Sequence, residues 1–166
     1  RLSGRELLTF AGHMYGVPKA DIQRRSEELL HVLTLSDDAD KLVIDYSVGM
    51  RKKIGLAAAL IHRPQVLFLD EPFEGIDPVS SKIIRDILQD LTHHGTTVFF
   101  SSHIMEVVER LCTRVGIINQ GMLVAEGTLE ELRSRASGDG RDATLEDVFM
   151  NVIGVQNEAH NLSWLE

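Results

Sequence analysis

Residues 66–78 read Val-Leu-Phe-Leu-Asp-Glu-Pro-Phe-Glu-Gly-Ile-Asp-Pro, and they constrain the fold more than any other segment. The segment begins with an apolar run bounded by turn residues, which is typical of a strand buried on both faces of a parallel sheet. The run ends on two adjacent carboxylates, Asp70 and Glu71. Because open α/β sheets bind ligands at the carboxyl ends of their strands, we expect both side chains to lie in a ligand crevice.

The two carboxylates are expected to face different sides of the strand, because successive strand side chains alternate. Phosphoryl transfer needs an acidic residue to fix Mg²⁺ and a group to orient or deprotonate the attacking nucleophile. Asp70 is therefore the candidate magnesium ligand, and Glu71 is the candidate general base. The alternative interpretation is that the two acids only cap the following turn, which is common for a single Asp and rarer for a consecutive pair.

Composition excludes several classes of protein. With 166 residues and 43% hydrophobic content, the chain is long enough for one domain with a substantial core. Its 17 basic and 25 acidic residues give a formal net charge of −8, which opposes loose binding to nucleic acids, so we predict no nucleic-acid partner. A single cysteine excludes an internal disulfide. No apolar segment approaches the ~20 residues of a transmembrane helix.

The amino-terminal part of the chain carries helical patterns without a strand signal. The first helix follows the capping-box spacing of Ser3 and Glu6, and a second follows Pro18. A third is predicted to begin at an N-cap on Ser47. The predicted inner face of the first helix consists of Leu7, Leu8, Ala11, Met14 and Tyr15.

Strands and helices alternate after this helical part. Asp77 and Pro78 are predicted as the N-cap and first residue of an amphipathic helix. Residues 96–100 are typical of a second buried strand, and a further helix follows it. The apolar segments 115–118 and 122–125 resemble a hairpin. The pattern predicts a parallel α/β sheet with an antiparallel edge.

These patterns predict three segments along the chain. Residues 1–62 form a helical subdomain, residues 63–135 an α/β core, and residues 136–166 a carboxyl-terminal extension. Within the extension, Ser-Gly-Asp-Gly at 137–140 is typical of a flexible link, and Thr144 begins a last helix.

Two more features point to phosphate chemistry. His103 follows the second strand at the same predicted edge as Glu71, where an imidazole can hydrogen-bond a phosphate oxygen or hold the attacking water. Taken alone, a histidine after a strand is more often a cap or a surface residue. Ser47 and Gly49 open the third helix and predict an anion site, although an ordinary N-cap explains them as well.

Taken together, these segments resemble the nucleotide-binding domain of an ABC transporter over nearly the whole chain. Residues 46–53 resemble the signature motif, 67–71 the Walker B motif, 75–78 the D-loop, and Ser102-His103 the switch histidine. The resemblance implies a P-loop NTPase-like fold with a parallel sheet core and a helical subdomain, and ATP with Mg²⁺ as cofactors.

The resemblance also implies roles for individual residues. They are a magnesium ligand, Asp70; catalytic residues, Glu71 and His103; and residues that contact the nucleotide or couple two sites, Ser47, Gly49, Met50 and Asp77. The signature residues would contact ATP held mainly by a second nucleotide-binding domain, so function implies a head-to-tail homo- or heterodimer. The signature departs from the usual Leu-Ser-Gly-Gly-Gln, since Val48 replaces the first Gly and Met50 the Gln. Val48 limits close backbone approach.

Similar replacements, and a segment similar to residues 144–149, are familiar in the exporter-like branch of that family. The resemblance therefore implies export of drugs or other hydrophobic cargo through transmembrane permease subunits. It also implies a cytoplasmic location, peripheral on the inner face of the cell membrane.

The Walker A pattern G-x-x-x-x-G-K-[ST] does not occur, since no Gly in the chain is followed by Lys. The chain also begins at Arg1 rather than Met. We therefore expect the chain to be a carboxyl-terminal portion of the domain, truncated before its first strands. By itself it is expected to bind ATP poorly and to be inactive. Exposed sheet edges and apolar faces are expected where those strands would pair.

Two other classes of function stay open. A DNA-repair or chromosome-organising ATPase shares the signature and Walker B motifs, but only about 20 residues separate Ser47 from Asp70 and no sustained heptad appears. The other class is a non-catalytic binding or regulatory module, retained for dimer or permease contacts. Calorimetric titration with Mg-ATP separates this module from an ATPase.

Overall fold

The structure is a computed structural model that describes residues 1–136 and 143–154. The chain divides into two compact units, Arg1–His103 and Ile104–Glu166. The predicted link at 137–140 lies outside the described residues, and the division into three segments stays a prediction. No helix in the described part of the chain has both the length and the apolar character needed to cross a bilayer.

Three helices open the first unit, and their starts follow the predicted caps. They are α1 (Gly4–Met14), α2 (Lys19–Val32) and α3 (Val48–Leu60). The Ser3 hydroxyl accepts a hydrogen bond from the Glu6 amide, and the Glu6 carboxylate accepts one from the Ser3 amide. This capping box confirms the predicted start of α1.

The buried face of α1 differs from the predicted one. Gly4, Leu8 and Gly12 are buried, whereas Met14 and Tyr15 are exposed. The reason is close helix packing, because a Cβ at Gly12 would lie 2.6 Å from Ile22 Cγ1 of α2. Small residues allow α2 to approach on this face, and the large residues at the end of α1 lie outside the contact.

Gly4 also permits a close contact, which gives a stability prediction. A Cβ at Gly4 would lie 2.3 Å from the hydroxyl oxygen of Tyr46, which is 2% exposed and donates to the Asp38 carbonyl at 2.7 Å. We expect Gly4→Ala to lower the free energy of unfolding by about 1–3 kcal/mol, measured by urea denaturation. Gly55 in α3 has nothing within 4 Å of a Cβ, so Gly55→Ala should raise it by about 0.5–1 kcal/mol. Equal effects of the two changes would contradict this reading of Gly4.

The first unit also contains the predicted parallel strands. They are β1 (Val66–Leu69) and β2 (Thr97–Phe100), paired in parallel. The crossover between them is α4 (Pro78–His93), with Asp77 at its N-cap and Pro78 at its first position, as predicted. Parallel pairing brings the carboxyl ends of both strands to one edge of the sheet.

The prediction that both faces of β1 are buried is wrong for this chain. Leu67 is 4% exposed, whereas Phe68 on the opposite face is 73% exposed. Its cross-strand partner Phe99 is 65% exposed, and the two rings lie 5.7 Å apart. The described residues cover one face of the two-stranded sheet and leave the other open, and an open apolar face was expected.

The second unit contains the predicted hairpin, formed by β3 (Val115–Asn119) and β4 (Met122–Gly127). It was predicted as an antiparallel edge of the parallel sheet, but among the described residues it forms a separate two-stranded sheet. The reason lies in its turn, where Gln120 has φ of 48° and Gly121 has φ of 78°. Positive φ at both central residues closes a hairpin locally, so these strands need no other partner to form.

Three helices complete the second unit: α5 (Met105–Leu111), α6 (Leu129–Ala136) and α7 (Leu145–Ile153). The Glu109 carboxylate accepts from the Leu145 amide at 3.0 Å and from Arg133 at 2.7 Å. Both hydrogen bonds lower the pKa of Glu109, and the bond from the Leu145 amide lowers it most. The buried cluster of this unit consists of Val108, Ile117, Leu132, Leu145 and Val148.

Candidate functional site

The candidate site lies where β1 and β2 end. Asp70 and Glu71 follow β1, and Ser101 follows β2. The Ser101 hydroxyl donates to Asp70 Oδ1 at 2.5 Å, and the Glu71 amide donates to Ser101 Oγ at 2.9 Å. One serine therefore holds the side chain of the first acid and the backbone of the second.

Ser101 was not among the predicted site residues. The available signal was its position directly after β2, at the edge where the two acids follow β1. The same position after β2 had indicated His103 as a site residue, but not Ser101.

The structure brings Glu71 and His103 together. His103 Nδ1 lies 3.0 Å from Glu71 Oε1. The His103 side chain is 64% exposed, whereas that of Glu71 is 29% exposed. The hydrogen bond that His103 makes to the Glu71 carboxylate is the main cause that raises the pKa of His103 above its ordinary 6.5, and the negative charges of Glu71 and Glu74 raise it further.

The raised pKa of His103 gives a pH prediction. Because its pKa is higher in the folded chain, pairing with Glu71 contributes stability that is fully present below about pH 6.5 and is lost as the pH rises through the raised pKa. We expect the pKa of His103 to fall toward its ordinary value in Glu71→Gln. An NMR titration of the imidazole signals in the unmodified chain and in the variant measures it. An unchanged titration of His103 in the variant would contradict the contact.

The backbone and second carboxylate oxygen of Glu71 are both unusual. Its φ of 42° lies in the left-handed region, a backbone conformation that is energetically unfavourable for residues other than glycine unless surrounding contacts hold it. Its Oε2 is buried and has no hydrogen-bond partner among the described residues. Buried polar atoms are normally paired, and an orphan oxygen in a polar cluster is suited to a water or a ligand.

Lys52 of α3 contacts the same segment. Its Nζ donates to the Glu71 carbonyl at 2.7 Å and to the Glu74 carbonyl at 2.5 Å. Lys52 lies inside the signature-like segment, but no role was predicted for it. Its contacts join residues 19 and 22 positions apart, and no local pattern indicates them.

The signature-like residues form the exposed start of α3. The Ser47 hydroxyl accepts from the Met50 amide at 3.2 Å, so Ser47 is the predicted N-cap. Ser47 and Val48 are exposed, and a Cβ at Gly49 would meet nothing within 4 Å. This helix end is open to an approaching group, and its described contacts do not reach Asp70.

Asp77 has a structural role in the described chain. Its carboxylate accepts from the Ser80 amide at 2.9 Å, and this bond is the largest cause of its lowered pKa. Gly75, two residues earlier, has φ of 67°, and a Cβ there would lie 3.8 Å from Val48 Cγ1. The D-loop-like segment therefore passes close to the start of α3, but the hydrogen bonds described for Asp77 stay within its own helix.

Asp70 fits a magnesium–nucleotide complex better than a metal site made by protein alone. The described residues contain no group of three or more His, Cys, Asp or Glu that could hold a metal ion. Mg²⁺ is usually bound through one or two carboxylates together with substrate phosphates and water. The exposed Asp70 carboxylate has this donor chemistry.

Comparison with known families places this geometry in a class. A family model described as "AAA domain, putative AbiEii toxin, Type IV TA system" matches residues 16–109, more than half of the chain. The matched range includes the start of α3, both acids and His103. The matched segment belongs to this AAA-domain family.

Similar proteins indicate which kind of ATP-binding protein this chain resembles. The linearmycin resistance ATP-binding protein LnrL of Bacillus subtilis (strain 168) is 42% identical over 138 residues, covering 83% of this chain and 44% of that protein. The daunorubicin resistance ATP-binding protein DrrA3 of Streptomyces coeruleorubidus is 37% identical over 146 residues, covering 88% of this chain and 46% of that protein. A solved structure of an ATP-binding subunit of an ABC transporter has a TM-score of 0.85 at 27% identity, covering 92% of this chain and 63% of that one.

The chain belongs to the ATP-binding proteins of ABC transporters. The resemblance drawn from the motifs and the predicted fold class are thereby confirmed. The chain spans about half the length of the curated relatives it matches.

Proposed function

We propose that this chain carries the catalytic acids of an ATP-hydrolysing subunit that powers an ABC transporter. The observation that carries the proposal is the 3.0 Å contact between His103 and Glu71, whose second carboxylate oxygen is left without a partner. A general base needs an oxygen free to take a proton and a neighbour that fixes its orientation. His103 fixes Oε1 of Glu71, and Oε2, although buried, has no hydrogen-bond partner among the described residues, so it is free to take the proton once the attacking water enters the site.

Each residue of this edge has a distinct task in the proposal. Asp70 holds Mg²⁺, which when bound neutralises charge on the phosphates. Glu71 accepts the proton of the attacking water at Oε2. His103 is favoured in its protonated form by the carboxylate on Nδ1, which leaves Nε2–H to donate to an oxygen of the γ-phosphate. The phosphate-binding Walker A loop is supplied by residues other than these 166, so this chain alone is expected to bind ATP weakly and to be inactive.

The exposed start of α3 serves a second nucleotide-binding domain in a head-to-tail homo- or heterodimer. Ser47, Gly49 and Met50 contact the γ-phosphate of ATP held mainly by that domain, and Asp77 couples the two sites. The open space above Gly49 supports this role, because a phosphate can approach the helix end without displacing a side chain.

The transporter is proposed to be an exporter. LnrL and DrrA3 are both named for resistance to an antibiotic, which supports export of drugs or other hydrophobic cargo. The partners are transmembrane permease subunits, and the location is cytoplasmic, peripheral on the inner face of the membrane. The absence of a nucleic-acid partner stays a prediction from the net charge of −8.

The proposal is tested by ATP turnover of the assembled ATPase, meaning this chain together with the segments or subunits that supply the phosphate loop. Removing the proton-accepting group of Glu71 should stop turnover and spare ATP binding. Turnover that does not depend on this carboxylate would refute the proposed mechanism.

A further inference from the structure

Three consecutive basic residues in the first turns of α3 hydrogen-bond different parts of the chain. Arg51 donates to the Tyr46 carbonyl, and Lys53 donates to the Thr34 hydroxyl at 2.9 Å. Both contacts lie within the helical part of the first unit. Lys52 alone among these three donates to the segment that follows β1, so its contact differs in kind from those of its neighbours.

The two carbonyl contacts of Lys52 occur where the backbone needs support. Glu71 has φ of 42°, a conformation that residues with a side chain rarely keep unless surrounding contacts fix it. Lys52 Nζ binds the carbonyl of Glu71 itself at 2.7 Å and that of Glu74 at 2.5 Å. The carboxylate of Glu74 lies 3.9 Å away from the same ammonium group. A charged donor shared between carbonyls forms stronger bonds than a neutral one.

Glu71 is held on its other side by Ser101. The Ser101 hydroxyl accepts from the Glu71 amide at 2.9 Å, so the amide and the carbonyl of one strained residue each have a side-chain partner. With both backbone groups fixed, the side chain reaches His103 at 3.0 Å. Neither support by itself determines φ, because each fixes only one of the flanking peptide groups.

We propose that Lys52 is a positioning residue, which fixes the left-handed backbone of Glu71 by hydrogen-bonding the Glu71 and Glu74 carbonyls and so directs the carboxylate to His103. Its helix is also the one that begins at Ser47 and Gly49. A shift of that helix end on contact with a phosphate would therefore be transmitted to the orientation of Glu71 in the same chain. Only this consequence for hydrolysis rests on the proposed function.

The test is a nuclear Overhauser measurement on the ¹⁵N-labelled chain without nucleotide. A residue with positive φ gives a strong NOE between its own amide and Hα protons, and one with negative φ gives a weak NOE. We expect a strong NOE for Glu71 in the unmodified chain and its loss in Lys52→Met. Lys52→Arg, which keeps a charged donor, should retain it. Lys82→Met, which removes the same charge from an exposed position on α4, should also retain it.

Several results would overturn the proposal: a weak NOE for Glu71 in the unmodified chain, a strong one in Lys52→Met, or an equal loss in Lys82→Met. If Lys52→Met does not fold, judged by its amide spectrum, Lys52→Gln replaces it with the same expected loss. Because no ATP is present, the result is independent of hydrolysis. Undiminished turnover of Glu71→Gln would refute the proposed function and leave the positioning result standing.

Discussion

Replacing Glu71 with Gln is expected to lower ATP turnover of the assembled ATPase about 10²–10⁴-fold, or about 3–5.5 kcal/mol in activation free energy. The amide has nearly the shape of the carboxylate, so the contact with His103 and the backbone bonds to Ser101 and Lys52 can persist. What is lost is the ability to take a proton from water at the unpartnered oxygen. ATP binding should be unchanged, because Glu71 is not the proposed magnesium ligand.

The experiment compares turnover and nucleotide binding in Glu71→Gln and Glu74→Gln. Glu74 lies three residues later in the same segment, its side chain is exposed, and its carbonyl rather than its carboxylate makes the closer contact with Lys52. The control removes the same negative charge close to the site and should hydrolyse ATP nearly normally. Undiminished turnover in Glu71→Gln, or an equal loss in both variants, would show that Glu71 is not the base.

The sequence predicted those structural elements that are determined by residues close together in the chain. The capping residues Ser3, Asp77 and Thr144 each hydrogen-bond an amide three residues later, so both partners stand within one turn of the printed sequence. The apolar run at 66–69 is a strand with the predicted bounds, because its flanking residues disfavour extension. Caps, strands and the hairpin turn all depend on a few adjacent side chains, so their signals stand together in the sequence.

Sequence missed the residues whose role depends on distant contacts. Ser101 is 31 positions from Asp70, and Lys52 is 19 from Glu71; these pairs meet only after the parallel pairing and the packing of α3 are known. Tyr15 was assigned to the inside of α1 by its spacing, although Gly12 provides the contact with Ile22. Helical spacing identifies large apolar side chains, and it does not recognise that two helices meet closely over glycine.

The candidate site likewise has residues that the sequence predicted and a backbone geometry that it did not. The motif order was enough to place Asp70, Glu71 and His103 at one edge, because the carboxyl ends of parallel strands must meet there. The left-handed backbone of Glu71 has no signature in sequence, since glycine or asparagine would be expected at such a position. A strained non-glycine residue beside a polar cluster is typical of functional sites, where the surrounding bonds fix a geometry that the chain alone would not adopt.

Gly49→Asp is expected to reduce ATP turnover of the assembled ATPase by at least about 10²-fold, without destabilising this chain. A side chain at Gly49 meets nothing within 4 Å, and an acidic residue in the first turn of a helix interacts favourably with its dipole. The free energy of unfolding should therefore stay the same or rise slightly. The same carboxylate would repel a γ-phosphate approaching the helix end from a second nucleotide-binding domain.

Gly55→Asp is the matched control, because Gly55 lies further along α3, is exposed and has equally open space. It introduces the same charge into the same helix, away from the end that is proposed to contact phosphate. Loss of turnover in Gly49→Asp alone, with normal unfolding of both variants, would support a site completed by a partner domain. Normal turnover in Gly49→Asp would mean that Ser47 and Gly49 are an ordinary helix cap, since a phosphate contact at this helix end could not tolerate an added carboxylate.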